Sequence, residues 1–386
     1  MKKQILSYLS LGQICDVQSG GTPSRHINAY WEKGNIPWVK ISDIKGKHLL
    51  GTDEYITRQG LENSSAKIFP KGTILYTIFA TLGETTILNI DAATNQAIAG
   101  INIHDQYKKI ILTDYLYYYL LSIKDIMCKV GRGVAQNNLN LKILRNVQVP
   151  VPTIEEQKKI IDTLSSIEKI MLVKDRQLSL LSNLVKSRFI EMFGHSDRPK
   201  VRLGECCLIN PKKSSDIRLV DNDLMVSFVS MSDVSEDGQI VTCNHKQYES
   251  VKSGFTYFSE NDVLFAKITP CMENGKGGIA KGLLNGIGFG STEFHVLRPI
   301  DQVSNSCWLY ELTSFPQFRQ AAEINMTGSA GQRRVPASFL ANYKVSLPPI
   351  SLQNQFADFV HQLDKSKYGG PIFLRLLEDI RICCNI

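Results

Sequence analysis

Leu139–Lys169 reads LNLKILRNVQVPVPTIEEQKKIIDTLSSIEK, and Val335–Lys365, 196 residues further on, reads VPASFLANYKVSLPPISLQNQFADFVHQLDK. The two stretches align without a gap. Leu144 falls on Leu340, Asn146 on Asn342 and Val149 on Val345. Val151-Pro152 falls on Leu347-Pro348, Ile154 on Ile350 and Gln157 on Gln353. Further along, Ile160, Leu164 and Ile167 fall on Phe356, Val360 and Leu363, while upstream Gln136 falls on Gln332. Self-similarity at one long period marks a duplicated structural unit.

Earlier blocks repeat with slightly different shifts. Leu11-Gly12 matches Leu203-Gly204, and Trp38–Asp43 matches Phe228–Asp233. Phe69–Leu75 matches Phe258–Leu264. The chain therefore holds two copies of one unit. Between the matched blocks the copies differ strongly, and a shared frame with divergent loops suits two readers of different targets.

The segment joining the copies reads as one long helix. From Thr153 to Phe193 there is neither Gly nor Pro; Pro150 and Pro152 precede it, and Gly194 and Pro199 follow. These are helix start and stop signals. Thr153 and Glu156 have capping-box spacing. Ile160, Leu164, Ile167, Met171, Leu178, Leu181, Val185 and Met192 recur at heptad-like intervals. Such a helix spans ~60 Å, which suits a spacer rod with a coiled-coil seam. The second copy starts a similar helix after Leu347-Pro348-Pro349, with Phe356, Val360 and Leu363 on its apolar face. It is expected to stop near Lys367, before Gly369-Gly370-Pro371. Two like helices from tandem repeats can pair antiparallel.

Charge is unevenly spread. The formal net charge is +7. Residues 1–152 carry 17 Lys/Arg against 11 Asp/Glu, whereas residues 200–348 carry 15 of each. Bulk charge thus favours an anionic partner for the first copy only; the second would need a local basic face. The nine cysteines include no C-x-x-C pair, which points to reduced thiols rather than a zinc ribbon or a disulfide scaffold. The apolar run after Met1-Lys2-Lys3 is short and broken by Ser7 and Ser10, so no signal peptide and no membrane association are expected.

Catalytic signatures are missing from the sequence. There is no phosphate-cradling G-x-x-x-x-G-K-[ST], no H-E-x-x-H, no G-x-S-x-G elbow and no Asn/Asp-Pro-Pro-aromatic motif. The seven histidines show no ligand spacing. Lys276–Gly282 is glycine-rich and reads as a hairpin turn. Tyr117-Tyr118-Tyr119 reads as helix packing. A binding protein without its own metal site is the expectation.

Several blocks resemble the specificity subunits of Type I restriction–modification systems. Leu11-Gly12 with Ser19-Gly20-Gly21-Thr22-Pro23-Ser24-Arg25 resembles the opening of a target-recognition domain, and Ile36–Ile44 its next block. Gly131–Leu139, repeated as Gly328–Val335, resembles the late glycine/glutamine loop, and Val151–Ile160 the start of the spacer helix. The resemblance covers roughly residues 5–367. It implies a mixed α/β fold with two tandem target-recognition domains separated by long spacer helices that form an antiparallel coiled coil. The boundaries read from the sequence are 1–152 and 200–348 for the domains, 153–193 and 349–368 for the helices, and 369–386 for an atypical tail. Family members usually carry a second helix as long as the first. The resemblance also implies a cytoplasmic, non-catalytic subunit that reads a bipartite, asymmetric target in double-stranded DNA. It would dock two methyltransferase subunits and the restriction/translocase subunits. S-adenosylmethionine, ATP and Mg2+ would serve those partners, with no cofactor in this chain. The competing readings are a silent or truncated allele or a stand-alone DNA-binding protein, and a duplicated enzyme or small-ligand protein.

Candidate DNA contacts follow from residue chemistry. In the first copy they are Arg25, Lys40, Lys45, Lys47 and Arg132 for phosphates, and Gln136, Asn137 and Asn138 for adenine edges. Gly20 and Gly21 would admit the duplex close to the backbone. In the second copy they are Lys212, Lys213, Lys267 and Gln332, with Arg333 and Arg334 suited to bidentate guanine contacts.

Overall fold

The computed structural model describes residues 7–132, 139–194, 198–216, 218–219, 223–236, 238–240, 244–329 and 331–367. Two compact units divide inside the long helix, Met1–Val173 and Lys174–Ile386.

In unit 1, Ile74–Thr77 is buried at every position, as a β-branched and aromatic run at a sheet centre should be. Its sheet has the order Cys15–Ser19, Ile98–Ile103, Ile74–Thr77, Thr85–Leu88, His48–Leu49. A second sheet has the order Tyr55–Ile56, Ile36–Val39, Ala92–Thr94, Ile68–Phe69, with its middle pair parallel. Ser7–Ser10 pairs antiparallel with Gln148–Val151, the strand that leads into the long helix.

Unit 2 repeats this plan. One sheet has the order Cys207–Ile209, Phe294–Pro299, Val263–Ala266, Gly277–Ile279, and the other Asn244–Gln247, Met225–Val229, Ile287–Gly290, Thr256–Ser259. The middle pair of the latter is again parallel, and Lys200–Arg202 pairs with Lys344–Ser346. The fifth strand, His48–Leu49, has no counterpart among the described residues of unit 2. The duplication read from the sequence is thus a duplication of sheets. Gly277–Ile279 corrects one expectation: the glycine-rich segment starts as a strand, and the turn comes at Gly282, whose φ is +68°. Gly278 lies so close to the Gly238 carbonyl that an added Cβ would sit 2.9 Å from its oxygen.

The long helix runs without interruption over Ile154–Phe193. Its capping box is formed: the Thr153 amide donates to Glu156 Oε2 at 3.0 Å and the Glu156 amide to Thr153 Oγ1 at 3.3 Å. One turn in, fully buried Gln157 accepts from the Leu112 amide at 2.9 Å. It donates to the carbonyls of Ile110 at 2.7 Å and Pro152 at 2.9 Å. Gln353, at the start of Ile350–Lys367, is equally buried and repeats the set. It accepts from the Asn305 amide at 3.0 Å and donates to Val303 and Pro348, each at 2.9 Å. Leu112 and Asn305 are the N-cap residues of Thr113–Ser122 and Ser306–Ser314, so each glutamine ties the starts of two helices together.

The seam splits between the units. Leu164, with Ile161, packs on the unit 1 core around Leu116, Leu144 and Val149. Ile160 and Ile167 are half-buried. Tyr118 adds bonds to Ser165 at 3.0 Å and Glu168 at 2.7 Å. In unit 2, Val185, Phe189, Met192 and Phe193 join the core together with Phe356, and Val360 and Leu363 pack against it. Phe356 lies 5.4 Å from Phe189 and 5.5 Å from Phe193, ring centre to ring centre. Leu181 is half-buried. Two of the seam positions lie outside both cores. Met171 and Leu178 are more than two-fifths exposed, as are Ile170, Leu172, Val173, Leu180 and Leu184. The middle of the helix carries apolar side chains that nothing among the described residues covers.

Phe356→Ala should destabilise unit 2 by about 3–5 kcal/mol, measured by urea unfolding. Met171→Ala should stay within about 0.5 kcal/mol of the parent. Equal effects of the two would contradict this packing.

Candidate nucleic-acid interface

A chain of three main-chain hydrogen bonds, present in both units, brings the candidate loops together. In unit 1 the Asn95 amide donates to Val39 O at 3.2 Å, Ile78 to Ala97 O at 2.9 Å and Leu139 to Ile78 O at 3.0 Å. In unit 2 the Ser291 amide donates to Val229 O at 3.2 Å, Lys267 to Glu293 O at 2.9 Å and Val335 to Lys267 O at 2.9 Å. Each chain runs from the end of a strand in one sheet, through a short turn, to the exit of the late loop.

Around this frame unit 1 gathers cations. Glu54 bridges Arg25 at 2.5 Å and Lys40 at 2.6 Å. Partial burial pushes the Glu54 carboxyl up, but the hydrogen bonds from Lys40 and Arg25 outweigh it and hold the group below its ordinary range. Arg25 also stacks over Trp31, 3.6 Å from the ring centre. The Asp43 carboxylate accepts from the Lys40 amide at 2.8 Å, and Asp233 repeats that bond with Ser230 at 2.7 Å.

Unit 2 builds its loop surface from paired charges. The late loop is stitched by Thr327 and Arg334, which exchange main-chain bonds of 2.9 and 2.8 Å. Arg334 grips Glu293 with Nε and an Nη, at 3.0 and 2.8 Å. Arg333 lies 3.7 Å from Glu273 and 3.8 Å from Glu323. Beneath them, buried Arg319 donates to the carbonyls of Thr313, Met272, Gly275 and Lys276 and lies over Phe265 at 4.4 Å. Burial pulls its pKa down to about 10. Arg319 braces the turn between the strands Val263–Ala266 and Gly277–Ile279. In unit 1 Lys124 does the same through Glu84, at 2.6 Å.

A family model described as the Type I restriction modification DNA specificity domain matches residues 7–181 and again 196–368. The chain belongs to this family. Among its relatives is the EcoEI specificity subunit of Escherichia coli, 41% identical over 155 residues, which are 39% of this chain and 25% of that protein. The EcoAI specificity subunit of the same species is 42% identical over 38% of this chain and 24% of that one. The MjaIX specificity subunit of Methanocaldococcus jannaschii is 30% identical over 47% and 42%. The matches thus span less than half the length of these relatives. In fold, the chain resembles the S subunit of the Type I system from M. genitalium, with a TM-score of 0.52 at 12% identity over 99% of this chain and 96% of that one. It also resembles a chain from work on complex assembly and conformational transition of the type I R-M system, with 0.51 at 17% identity over 98% and 94%.

On this specificity-domain fold the residues read from the sequence divide. Lys267 is part of the three-bond frame, and Arg334 grips Glu293 of it. Lys40 follows Val39 in the chain, Arg333 lies two residues before Val335, and Arg25 packs on Trp38, the neighbour of Val39. Lys45 and Gln332 are exposed. Lys47 is not presented outward: Asp114 at 2.6 Å and Tyr118 at 3.2 Å hold its ammonium, and its side chain is 17% exposed. Gly20 and Gly21 are buried, and a Cβ on either would collide with Thr94 or Ser65. The close approach they permit is to the protein's own backbone, which corrects the reading that they admit a duplex. Lys212 is exposed and Lys213 donates to the Lys252 carbonyl. Arg132 ends the helix Lys124–Arg132, but its side chain, like Gln136, Asn137 and Asn138, lies outside the described residues. Glu54, Glu293, Arg319 and His295 were not legible as site residues, because each acts through a partner distant in the chain.

His295 anchors the exit of the late loop. Its Nε2 lies 2.7 Å from Val335 O, so it donates there, and its Nδ1 accepts from Asn210 at 2.9 Å. Both positions suit the neutral ring, and burial lowers its pKa below the ordinary 6.5. The unfolded chain therefore takes up the proton first. The stabilisation is complete above about pH 6.5 and is lost progressively as pH falls below it and through the lower folded value. Urea unfolding of unit 2 at pH 7.5 and 5.5 should show this loss, and His295→Gln should flatten it. An unchanged pH dependence in the variant would contradict the anchor.

Proposed function

We propose that this chain is the DNA sequence-specificity subunit of a Type I restriction–modification complex, reading a bipartite, asymmetric target in double-stranded DNA and performing no chemistry itself. The observation that carries this reading is one frame built twice with different side chains on it. Unit 1 offers Arg25 and Lys40 near the three-bond chain, and the exposed Lys45. Unit 2 offers Lys267, Gln332, Arg333 and Arg334. Phosphate contacts from such cations position a protein, while base-edge contacts specify. Two unlike loop sets would select two unlike half-sites, with unread bases between them.

The exposed apolar middle of the long helix, including Leu172, Val173 and Leu180, is the proposed dock for methyltransferase subunits. Restriction/translocase subunits would join that core. S-adenosylmethionine, ATP and Mg2+ would be used by those partners. Among the described residues no cluster of His, Cys, Asp and Glu could hold a metal, and no helix is long and apolar enough to cross a membrane.

Co-expression with the methyltransferase subunit of its own system, followed by mapping of methylated adenines, tests the proposal. One bipartite motif is expected, and exchanging residues 200–348 for those of another specificity subunit should change one half of it. Absence of any complex would favour a stand-alone DNA-binding protein.

A further inference from the structure

Each unit carries an edge-to-face aromatic pair next to the three-bond frame. Trp31 and Trp38 have ring centres 5.0 Å apart at 88°; Phe228 and Phe255 are 4.9 Å apart, also at 88°. Trp38 and Phe228 occupy matching positions, one residue before Val39 and Val229, where the frame begins. A cation covers each pair. The Arg25 guanidinium lies 3.6 Å from the Trp31 centre and 4.9 Å from that of Trp38. The Lys246 ammonium lies 3.7 Å from Phe228 and 5.8 Å from Phe255.

The cation and the second ring do not correspond in sequence. Arg25 and Trp31 precede the strand Ile36–Val39, whereas Lys246 and Phe255 follow Met225–Val229. Copying one ancestral unit would have left them at matching positions. The same arrangement reached from opposite directions points to a common task. The clusters differ in how their cations are held: Glu54 pairs with both Arg25 and Lys40, and Asp43 and Asp53 act on Lys40 as well, whereas no ion pair holds Lys246 among the described residues. Ring faces shield one side of a cation and restrict its rotamers, so less freedom is lost when its other side meets an anion.

We propose that each cation–aromatic cluster is a built-in anchor for a phosphate of the DNA backbone, setting the register in which the adjoining late loop meets the bases. This rests on the DNA-reading function proposed above. The anchor of unit 2, made of Lys246, Phe228 and Phe255, is its most direct test, since its charge is single.

Binding of the full-length chain to a labelled random-sequence duplex should be followed between about 50 and 200 mM salt. Lys246→Gln should weaken binding several-fold and reduce the slope of log K against log salt by about 0.9, the value for one lost phosphate contact. Phe255→Leu should weaken binding less and leave the slope unchanged, because the charge remains. Lys344→Gln, at an exposed lysine on the small sheet, should leave both at the parent values. An unchanged slope in Lys246→Gln, or an equal drop in Lys344→Gln, overturns the anchor while leaving DNA reading intact. Failure of the parent chain to bind duplex even at low salt overturns the reading itself, and the anchor with it.

Discussion

A buried glutamine one turn into each helix is the constraint on which the architecture turns. Gln157 and Gln353 are both fully buried, and each spends its amide on one main-chain donor and two main-chain acceptors. A buried amide left unpaired costs about 1–3 kcal/mol, so neither helix can shift or rotate at its start without stranding these groups. The bonded amides belong to Leu112 and Asn305, which cap an earlier helix of each unit. The direction in which each helix leaves its unit is therefore set by that unit's own main chain.

The distribution of apolar side chains along the long helix follows from this. Its first turns are committed to unit 1 through Ile161 and Leu164, and its last turns to unit 2 through Val185, Phe189 and Phe193. The stretch between them is free of both cores and keeps Leu172, Val173 and Leu180 exposed. The candidate interface is framed in the same way. Three main-chain bonds, indifferent to side-chain identity, tie the exit of the late loop, Leu139 or Val335, to a strand end in both units. The side chains on that frame can diverge without disturbing it, a useful property in a family whose members read DNA.

Much of this was legible in the sequence. The gapless repeat, the helix limits, the Thr153–Glu156 capping box and the packing of Tyr117-Tyr118-Tyr119 all follow from local periodicity and local hydrogen bonding. The matched Gln157/Gln353 pair was visible as a polar coincidence inside an apolar pattern, but its partners lie some 45–50 residues upstream. Heptad spacing marked Met171 and Leu178 as seam positions; spacing tells which face is apolar and not what covers it. Phe189 and Phe193, off that seam, are buried by Phe315 and Phe356. Glycine at 20 and 21 signalled a close approach without naming its object. Lys47 looked like a phosphate ligand because Asp114 is distant in sequence.

One weld, built twice, joins a helix to each unit, and amide hydrogen exchange at Leu112 and Asn305 tests it most directly. Both amides should exchange only on unfolding of their own unit, as slowly as its central strand, Ile74–Thr77 or Val263–Ala266. Gln157→Met should release Leu112 alone, and Gln353→Met Asn305 alone. Fast exchange of either amide in the unaltered protein would contradict the account.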